Sequence, residues 1–149
     1  MADPVTIDWA PPASRYSLRT RTPQGLPPIL ASAPFGDGHA LGLGPDEWLL
    51  ILPHDATPPI IDALHALTDI GHRNVGLIVG GPKAATLVQC GCALDLSLAA
   101  FPVGKATRTV YEGVEMVLWR TGTATFRIEA WRSFVGHLHA ALILSAGDL

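Results

Sequence analysis

Two adjacent acids, Asp46 and Glu47, are the first residues of the chain whose types could do chemistry, because paired carboxylates serve as general acid and general base. They lie in the stretch LGLGPDEWLLILP, residues 41–53. Neighbouring residues of a strand point to opposite faces, so these two carboxylates cannot both reach one substrate atom. Asp46 also follows Gly44-Pro45, a sequence typical of turns. We therefore interpret the pair as a turn and the start of a buried strand, not as a catalytic pair.

The other residues that could carry chemistry lack the spacing that their chemistry requires. The glycines of GDGHALGLG, residues 36–44, depart from the dinucleotide-binding fingerprint, and a strand follows them instead of a helix. Cys90 and Cys92 would need further ligands to hold zinc, so they are predicted to be structural free thiols. His137 and His139 face different sides of a helix, and no G-x-S-x-G motif marks a nucleophilic serine. No catalytic, cofactor-binding or metal-binding residue is therefore predicted on this chain.

The composition indicates a protein that covers part of its surface with another protein. Of its 149 residues, 48% are hydrophobic and only 15% are charged, whereas about 25% is typical. So little charge leaves apolar surface that a small domain cannot hide by itself. The formal net charge is −3, and the cationic residues are scattered. Nucleic acid is thereby excluded as a partner, because phosphate neutralisation needs clustered Lys and Arg.

The N-terminal and cysteine sequences predict a cytoplasmic protein. The first residues, MADPVTIDWAPP, lack the basic start and apolar core of a secretory signal. No apolar run approaches the roughly 20 residues of a membrane span. The two cysteines are one residue apart, a spacing unsuited to a strain-free disulfide, so nothing favours an oxidising compartment.

Residues 1–37 are predicted to form an extended, proline-rich N-terminal arm, and residues 38–149 a single α+β domain. The arm contains the proline clusters APP, TPQGLPP and SAPFGDG, and each X-Pro pair favours extended or turn geometry. It is also too apolar for an ordinary flexible linker. We expect the arm to lie along the surface of a partner, and its deletion to leave a folded domain that no longer binds.

The predicted domain has the pattern β-β-α-β-α-β-β-β-α. Its three late strands lie in KATRTVYEGVEMVLWRTGTATFRIEA, residues 105–130, where Glu112-Gly113 and Thr121-Gly122-Thr123 are turn sequences. Strands joined by tight turns are antiparallel neighbours. The fold class is therefore α+β, a mainly antiparallel sheet with helices packed on it.

Two of the three predicted helices depend on the spacing of apolar residues. The first is predicted over residues 55–71, where Ile60 and Leu64 begin a face at helical spacing and prolines suit the first turn. The last is predicted over RSFVGHLHAALILSAG, with Phe134 and Leu138 on its buried stripe.

Three phrases of the sequence, in this order, together resemble the gamma subunit family of heterotetrameric sarcosine oxidase. They are LGPDEWLLILP (43–53), GGPKAATLVQCGCALDLSLAAFPVGKATRTVY (80–111) and LWRTGTATFRIEAWRSFVGHLHAAL (118–142). The RYSLR phrase of the arm is a weaker match. Lys83 departs from related domains, which often carry an acid in the G-P-x-A phrase.

The resemblance implies both a fold and a function. The fold is similar to one half of the folate-binding domain of glycine-cleavage aminomethyltransferases. The family's complex oxidises sarcosine to glycine with production of hydrogen peroxide and passes the one-carbon unit to tetrahydrofolate. FAD, FMN, NAD and tetrahydrofolate are expected in its other subunits. The gamma subunit packs on the folate-binding region of the alpha subunit, in a complex with beta and delta, and is not expected to supply a catalytic residue.

Two other functions are compatible with the same residues. A module that binds folate or another small acid would use cationic anchors, for which the candidates are Arg73, Arg108 and Arg120. A homo-oligomeric scaffold would also explain the apolar composition. For a partner interface, amphipathic aromatic rings are the best anchors, and the candidates are Trp9, Tyr16, Trp48, Trp119 and Trp131.

Overall fold

A computed structural model describes residues 4–149, which form ten strands and two helices in two sheets. The strands are β1 (Thr6–Trp9), β2 (Ala13–Thr20), β3 (Ser32–Phe35), β4 (Gly38–Gly44), β5 (Glu47–Pro53), β6 (His65–Asp69), β7 (Asn74–Gly80), β8 (Ala106–Tyr111), β9 (Val114–Gly122) and β10 (Thr125–Trp131). The helices are α1 (Ala84–Gln89) and α2 (Arg132–Ala146). The first sheet has the order β1-β7-β10-β9-β8, the second β3-β4-β5-β2-β6, and every pair is antiparallel.

The first sheet carries both helices on its outer face. The three late strands and the last helix that the sequence predicts are confirmed here as β8, β9, β10 and α2. Glu112 and Gly113 both have positive φ, 48° and 79°, as a two-residue hairpin turn requires. Three residues of α2 are buried against the sheet: Val135, Leu138 and Leu142. Within residues 4–149, neither helix is long and apolar enough to cross a membrane. The α+β class is thereby confirmed, with two sheets in place of one.

The two sheets pack face to face, and β5 shows why its sequence is apolar throughout. Leu49 and Ile51 point into the layer between the sheets, whereas Trp48 and Leu50 point to the outer face of the second sheet. A strand covered on both faces has no solvent-facing side, so apolar residues fill every position.

The predicted helix over residues 55–71 is wrong. The segment from His54 to Leu64, here called the strap, has no regular secondary structure, and β6 follows it. Pro58 and Pro59 offer no amide hydrogen, and the residue before a proline disfavours the helical conformation. The strap instead crosses the outer face of the second sheet, where Ile61 packs against the buried cluster that contains Trp48.

The predicted arm over residues 1–37 is extended, but it is not separate from the domain. β2 lies inside the second sheet between β5 and β6, and β1 pairs with β7 of the first sheet. The alternation in RYSLR is that of a strand inside a sheet. It places Tyr16 and Leu18 on the outer face of the second sheet and Arg15 on the face that meets the first sheet. Leu18 is completely buried. The boundary at residue 37 therefore divides strands that belong to one structure.

Candidate partner interface

The adjacent acids Asp46 and Glu47 are held by arginines. Arg19 Nη1 donates to Asp46 Oδ1 at 3.0 Å, and the Arg108 guanidinium donates to both carboxylate oxygens of Glu47. These Arg108 hydrogen bonds keep the pKa of Glu47 below its ordinary value, against the opposing effect of partial burial. A carboxylate held ionised in this way is a poor proton donor. Glu47 begins β5, so the interpretation as a turn and strand start is confirmed.

The Glu47–Arg108 pair predicts a small acid-dependent loss of stability. Because the pKa of Glu47 is lower in the folded chain, the pair stabilises the fold at neutral pH. That contribution, about 1 kcal/mol or less for a partly exposed pair, disappears as the pH falls below about 4. Urea unfolding from pH 7 to pH 3 should show a smaller fall in the free energy of unfolding for Glu47→Gln than for the wild type. Equal pH profiles would contradict the prediction.

A second group of charges is buried between the sheets and was not predicted from the sequence. Glu129 of β10 accepts a hydrogen bond from Arg15 Nε of β2 at 2.5 Å and one from Arg127 Nε at 2.9 Å. The Glu129 side chain is only 1% exposed. Arg15 and Glu129 are 114 residues apart in sequence, so no local pattern could reveal this contact. The cluster fixes the second sheet to the first.

The three arginines proposed as anchors for a small acid do not form a common site. Arg73 and Arg108 line a cavity of about 100 Å³ at one end of the layer between the sheets, whereas small-ligand pockets are usually 300–1,000 Å³. Arg108 is already paired with Glu47. Arg120 is buried elsewhere and donates to the carbonyls of Leu96 and Phe101.

A wider cleft of about 490 Å³ opens at the opposite end of the layer between the sheets. Its arginine, Arg127, is paired with Glu129, and Asp37 lies on its wall. Neither opening therefore offers a set of free cations that would select a folate or another small acid.

The cysteines have different environments. Both are free thiols, and Cys92 is buried, as suits a structural cysteine, whereas Cys90 at the end of α1 is exposed. Among residues 4–149, no three His, Cys, Asp or Glu side chains come together in a metal-binding arrangement.

Two of the five aromatic candidates for a partner interface are core residues. Trp48 is 2% exposed, and its indole Nε1 donates to the Pro27 carbonyl at 2.8 Å. Trp119 is 9% exposed and donates to Ser32 Oγ at 2.9 Å. Both indoles satisfy their polar atom within the chain, so neither is available as an anchor for another protein.

The other three aromatic residues reach the surface to different extents. Trp9 is 52% exposed and stacks on His139 of α2, with ring centroids 4.6 Å apart. Tyr16 is partly buried against the outer cluster of the second sheet. Trp131, at the end of β10, is 46% exposed. Trp9 and Trp131 therefore remain candidates for contact with a partner.

Trp131 belongs to an apolar groove, here called the Trp131 groove, with a volume of about 430 Å³. The groove lies between the β8–β9 turn and the first turns of α2, and its lining residues are Glu112, Gly113, Val114, Glu115, Trp131, Phe134 and His137. The Arg73 guanidinium lies 5.2 Å from the Trp131 ring centroid. An apolar floor with two acids at its rim suits a partner side chain that is both apolar and cationic.

The apolar spacing predicts Phe134 on the buried stripe of α2, but Phe134 is 52% exposed. Its ring centroid lies 6.4 Å from that of Trp131. The signal was present in the phrase WRSF, because residues three apart at the start of a helix lie on one side of it. Trp131 and Phe134 together form an exposed aromatic pair.

Comparison with solved structures places the fold among known proteins. A chain of the heterotetrameric sarcosine oxidase from Corynebacterium sp. U-96, in complex with pyrrole 2-carboxylate, superposes with a TM-score of 0.86 at 24% identity. This superposition covers 99% of this chain and 87% of that chain. Aminomethyltransferase T of the glycine cleavage system from Bartonella henselae superposes with a TM-score of 0.68 at 10% identity, over 93% of this chain and 45% of that one. The predicted similarity to part of an aminomethyltransferase fold is confirmed.

Sequence comparison identifies the family. This chain is 33% identical to sarcosine oxidase subunit gamma of Corynebacterium sp. strain U-96, with 81% of this chain and 63% of the relative covered. It is 30% identical to the corresponding subunit of Arthrobacter sp., with 75% and 57% covered. The chain thus spans 57–63% of the length of these relatives. The sequence model of the "Sarcosine oxidase, gamma subunit family" matches residues 8–146. The chain therefore belongs to the sarcosine oxidase gamma subunit family.

Proposed function

We propose that this chain is the non-catalytic gamma subunit of a cytoplasmic heterotetrameric sarcosine oxidase. In this role it packs on the alpha subunit and supports its folate-binding region, while the complex also contains beta and delta subunits. The complex oxidises sarcosine to glycine, and its FAD, FMN, NAD and tetrahydrofolate are bound by the other subunits. The observation that carries the proposal is the family match over residues 8–146.

The surface of the chain supports a role in assembly. The chain has few charges for its size, and the described residues leave the aromatic pair of the Trp131 groove about half exposed. The two acids of LGPDEWLLILP, Asp46 and Glu47, accept hydrogen bonds from Arg19 and Arg108. A subunit that binds a neighbour needs apolar surface of this kind. Acids that are already paired with arginines are compatible with a subunit that performs no chemistry.

Co-expression with the other three subunits tests the proposal. An affinity-tagged gamma chain should co-purify with alpha, beta and delta in equal amounts, and the complex should produce hydrogen peroxide from sarcosine. The isolated chain should show no flavin absorbance. Recovery of the tagged chain alone, or a yellow preparation with stoichiometric flavin, would contradict the proposal.

The aromatic pair of the Trp131 groove predicts a large effect on assembly. Replacing Trp131 and Phe134 by alanine removes two half-exposed rings, so the isolated chain should lose little stability. Because aromatic anchors dominate interface energies, we expect the double variant to bind its partner about 100-fold more weakly. The measurement is co-purification followed by titration of the gamma chain against the remaining subunits.

Leu144→Ala is the matched control, because Leu144 is 76% exposed near the other end of α2. It should assemble like the wild type. If the Trp131→Ala/Phe134→Ala variant remains folded and assembles equally well, the Trp131 groove is not the contact surface.

A further inference from the structure

The strap exposes two large aliphatic side chains almost completely. Ile60 is 93% exposed and Leu64 is 94% exposed, whereas Ile61 between them points inward to the outer cluster of the second sheet. Side chains with so much exposed surface contribute almost no packing energy to their own fold. Burying either one against another protein would remove a large apolar surface from water, which favours association.

The strap is nevertheless held in place by its own chain. Thr20 Oγ1 donates to the Leu64 carbonyl at 2.9 Å, and the Asp55 amide donates to Ser14 Oγ at 3.0 Å. Pro59 packs closely on Gly36, because a Cβ on residue 36 would lie 2.6 Å from Cγ of the proline ring. Gly36 has a φ of +57°, which also favours glycine. Ile60 and Leu64 are therefore presented on a fixed backbone, which lowers the entropy lost on binding.

The strap and β6 also carry an unusual share of the charge. Residues 54–71 contain three acids, Asp55, Asp62 and Asp69, and no Lys or Arg. Their formal charge of −3 equals that of the whole chain, so the remaining residues have as many cations as anions. Asp62 is exposed between the two aliphatic side chains. A surface with this pattern complements an apolar cleft that has basic residues at its rim.

We propose that the strap inserts Ile60 and Leu64 into an apolar cleft with a basic rim on another subunit of the complex. This proposal rests on the assembly role proposed above and assigns a second contact, carried by a segment distinct from the Trp131 groove. Among residues 4–149, β6 pairs with β2 alone, and its other edge continues the same surface.

The test replaces Ile60 and Leu64 by serine. Because neither side chain packs on its own chain, the variant should keep the thermal midpoint and solution mass of the wild-type chain. We expect it to bind the other subunits about 100-fold more weakly. Leu144→Ser is the control at an aliphatic residue that is also largely exposed, at 76%, and it should bind normally. Ile61→Ser should lower the thermal midpoint, which verifies the orientation of the strap.

The contribution of the acidic residues to binding can be measured separately. Asp62→Asn should weaken binding about fivefold at low salt and make it less sensitive to added salt than the wild type. A folded Ile60→Ser/Leu64→Ser variant that binds like the wild type would overturn the inference. It would also be overturned if the isolated wild-type chain were a dimer that this variant converts to a monomer, because a second copy would then occupy the strap. Failure of the wild type and the Leu144→Ser control to assemble would instead refute the proposed function.

Discussion

A chain that begins at residue 38 is expected to remain unfolded. The deletion removes β1, β2 and β3, and β2 lies between β5 and β6 in the second sheet. Its loss would leave the backbone groups of both neighbours unpaired, and it would remove Leu18, which is completely buried. The deletion also removes Arg15, which leaves Glu129 without one of its two arginines. We expect no cooperative unfolding transition and no near-ultraviolet circular dichroism for this variant.

The full-length chain, which retains β1, β2 and β3, is the control and should show one cooperative thermal unfolding transition. A folded chain from residues 38–149 that fails only to bind its partner would instead restore the prediction of a separate arm. Binding by that truncated chain would exclude any contribution of β1 to β3 to the interface.

Replacement of Glu129 by alanine is expected to destabilise the chain by about 3–5 kcal/mol. The Glu129 side chain is 1% exposed, and its carboxylate faces Arg15 and Arg127, whose side chains are 7% and 14% exposed. Removing the only acid of this cluster leaves two guanidinium groups in the layer between the sheets without a counter-charge. The cost comes from buried unpaired charge more than from a lost contact. Urea denaturation measures it as a change in the free energy of unfolding.

Two further variants separate charge from packing. Glu115→Gln changes an acid that is 69% exposed and 3.9 Å from Arg108, so its effect should stay within about 0.5 kcal/mol. Adding Arg15→Met and Arg127→Met to Glu129→Ala removes the unpaired cations, and we expect it to recover part of the lost stability. A single Glu129→Ala variant as stable as the wild type would show that water or side-chain movement already compensates these arginines.

The elements that the sequence predicted correctly are those whose contacts are local. β8, β9 and β10 are joined by turns of two residues, and their alternation and turn sequences lie within 26 residues, 106–131. The bounds of α2 and the burial of Leu138 likewise follow from a repeat inside one segment, whereas Phe134 of the same predicted stripe is exposed. Such patterns can be interpreted without knowing what the segment packs against.

The errors concern segments whose conformation depends on distant residues. Ile60 and Leu64 have helical spacing, yet the strap is fixed by Thr20, Ser14 and Gly36. The proline-rich arm could be predicted as extended, but its pairing partner β5 lies beyond β3 and β4 in the chain. Trp48 and Trp131 both lie in strand patterns, but Trp48 is covered by distant residues on the outer face of the second sheet, whereas Trp131 is 46% exposed. Local sequence could not distinguish the two.

The order of the strands has a consequence for synthesis on the ribosome. All five strands of the second sheet come from residues 13–69, so this sheet can form before the rest of the chain has emerged. The first sheet needs β1 from the beginning of the chain and β7 to β10 from its second half. Until β8 and β9 are available, Leu49 and Ile51 of the early sheet lack the residues of the first sheet that cover them, Ala106, Val117 and Trp119. The nascent chain therefore passes through a stage with an uncovered apolar sheet face, at which a chaperone or the partner subunit would prevent aggregation.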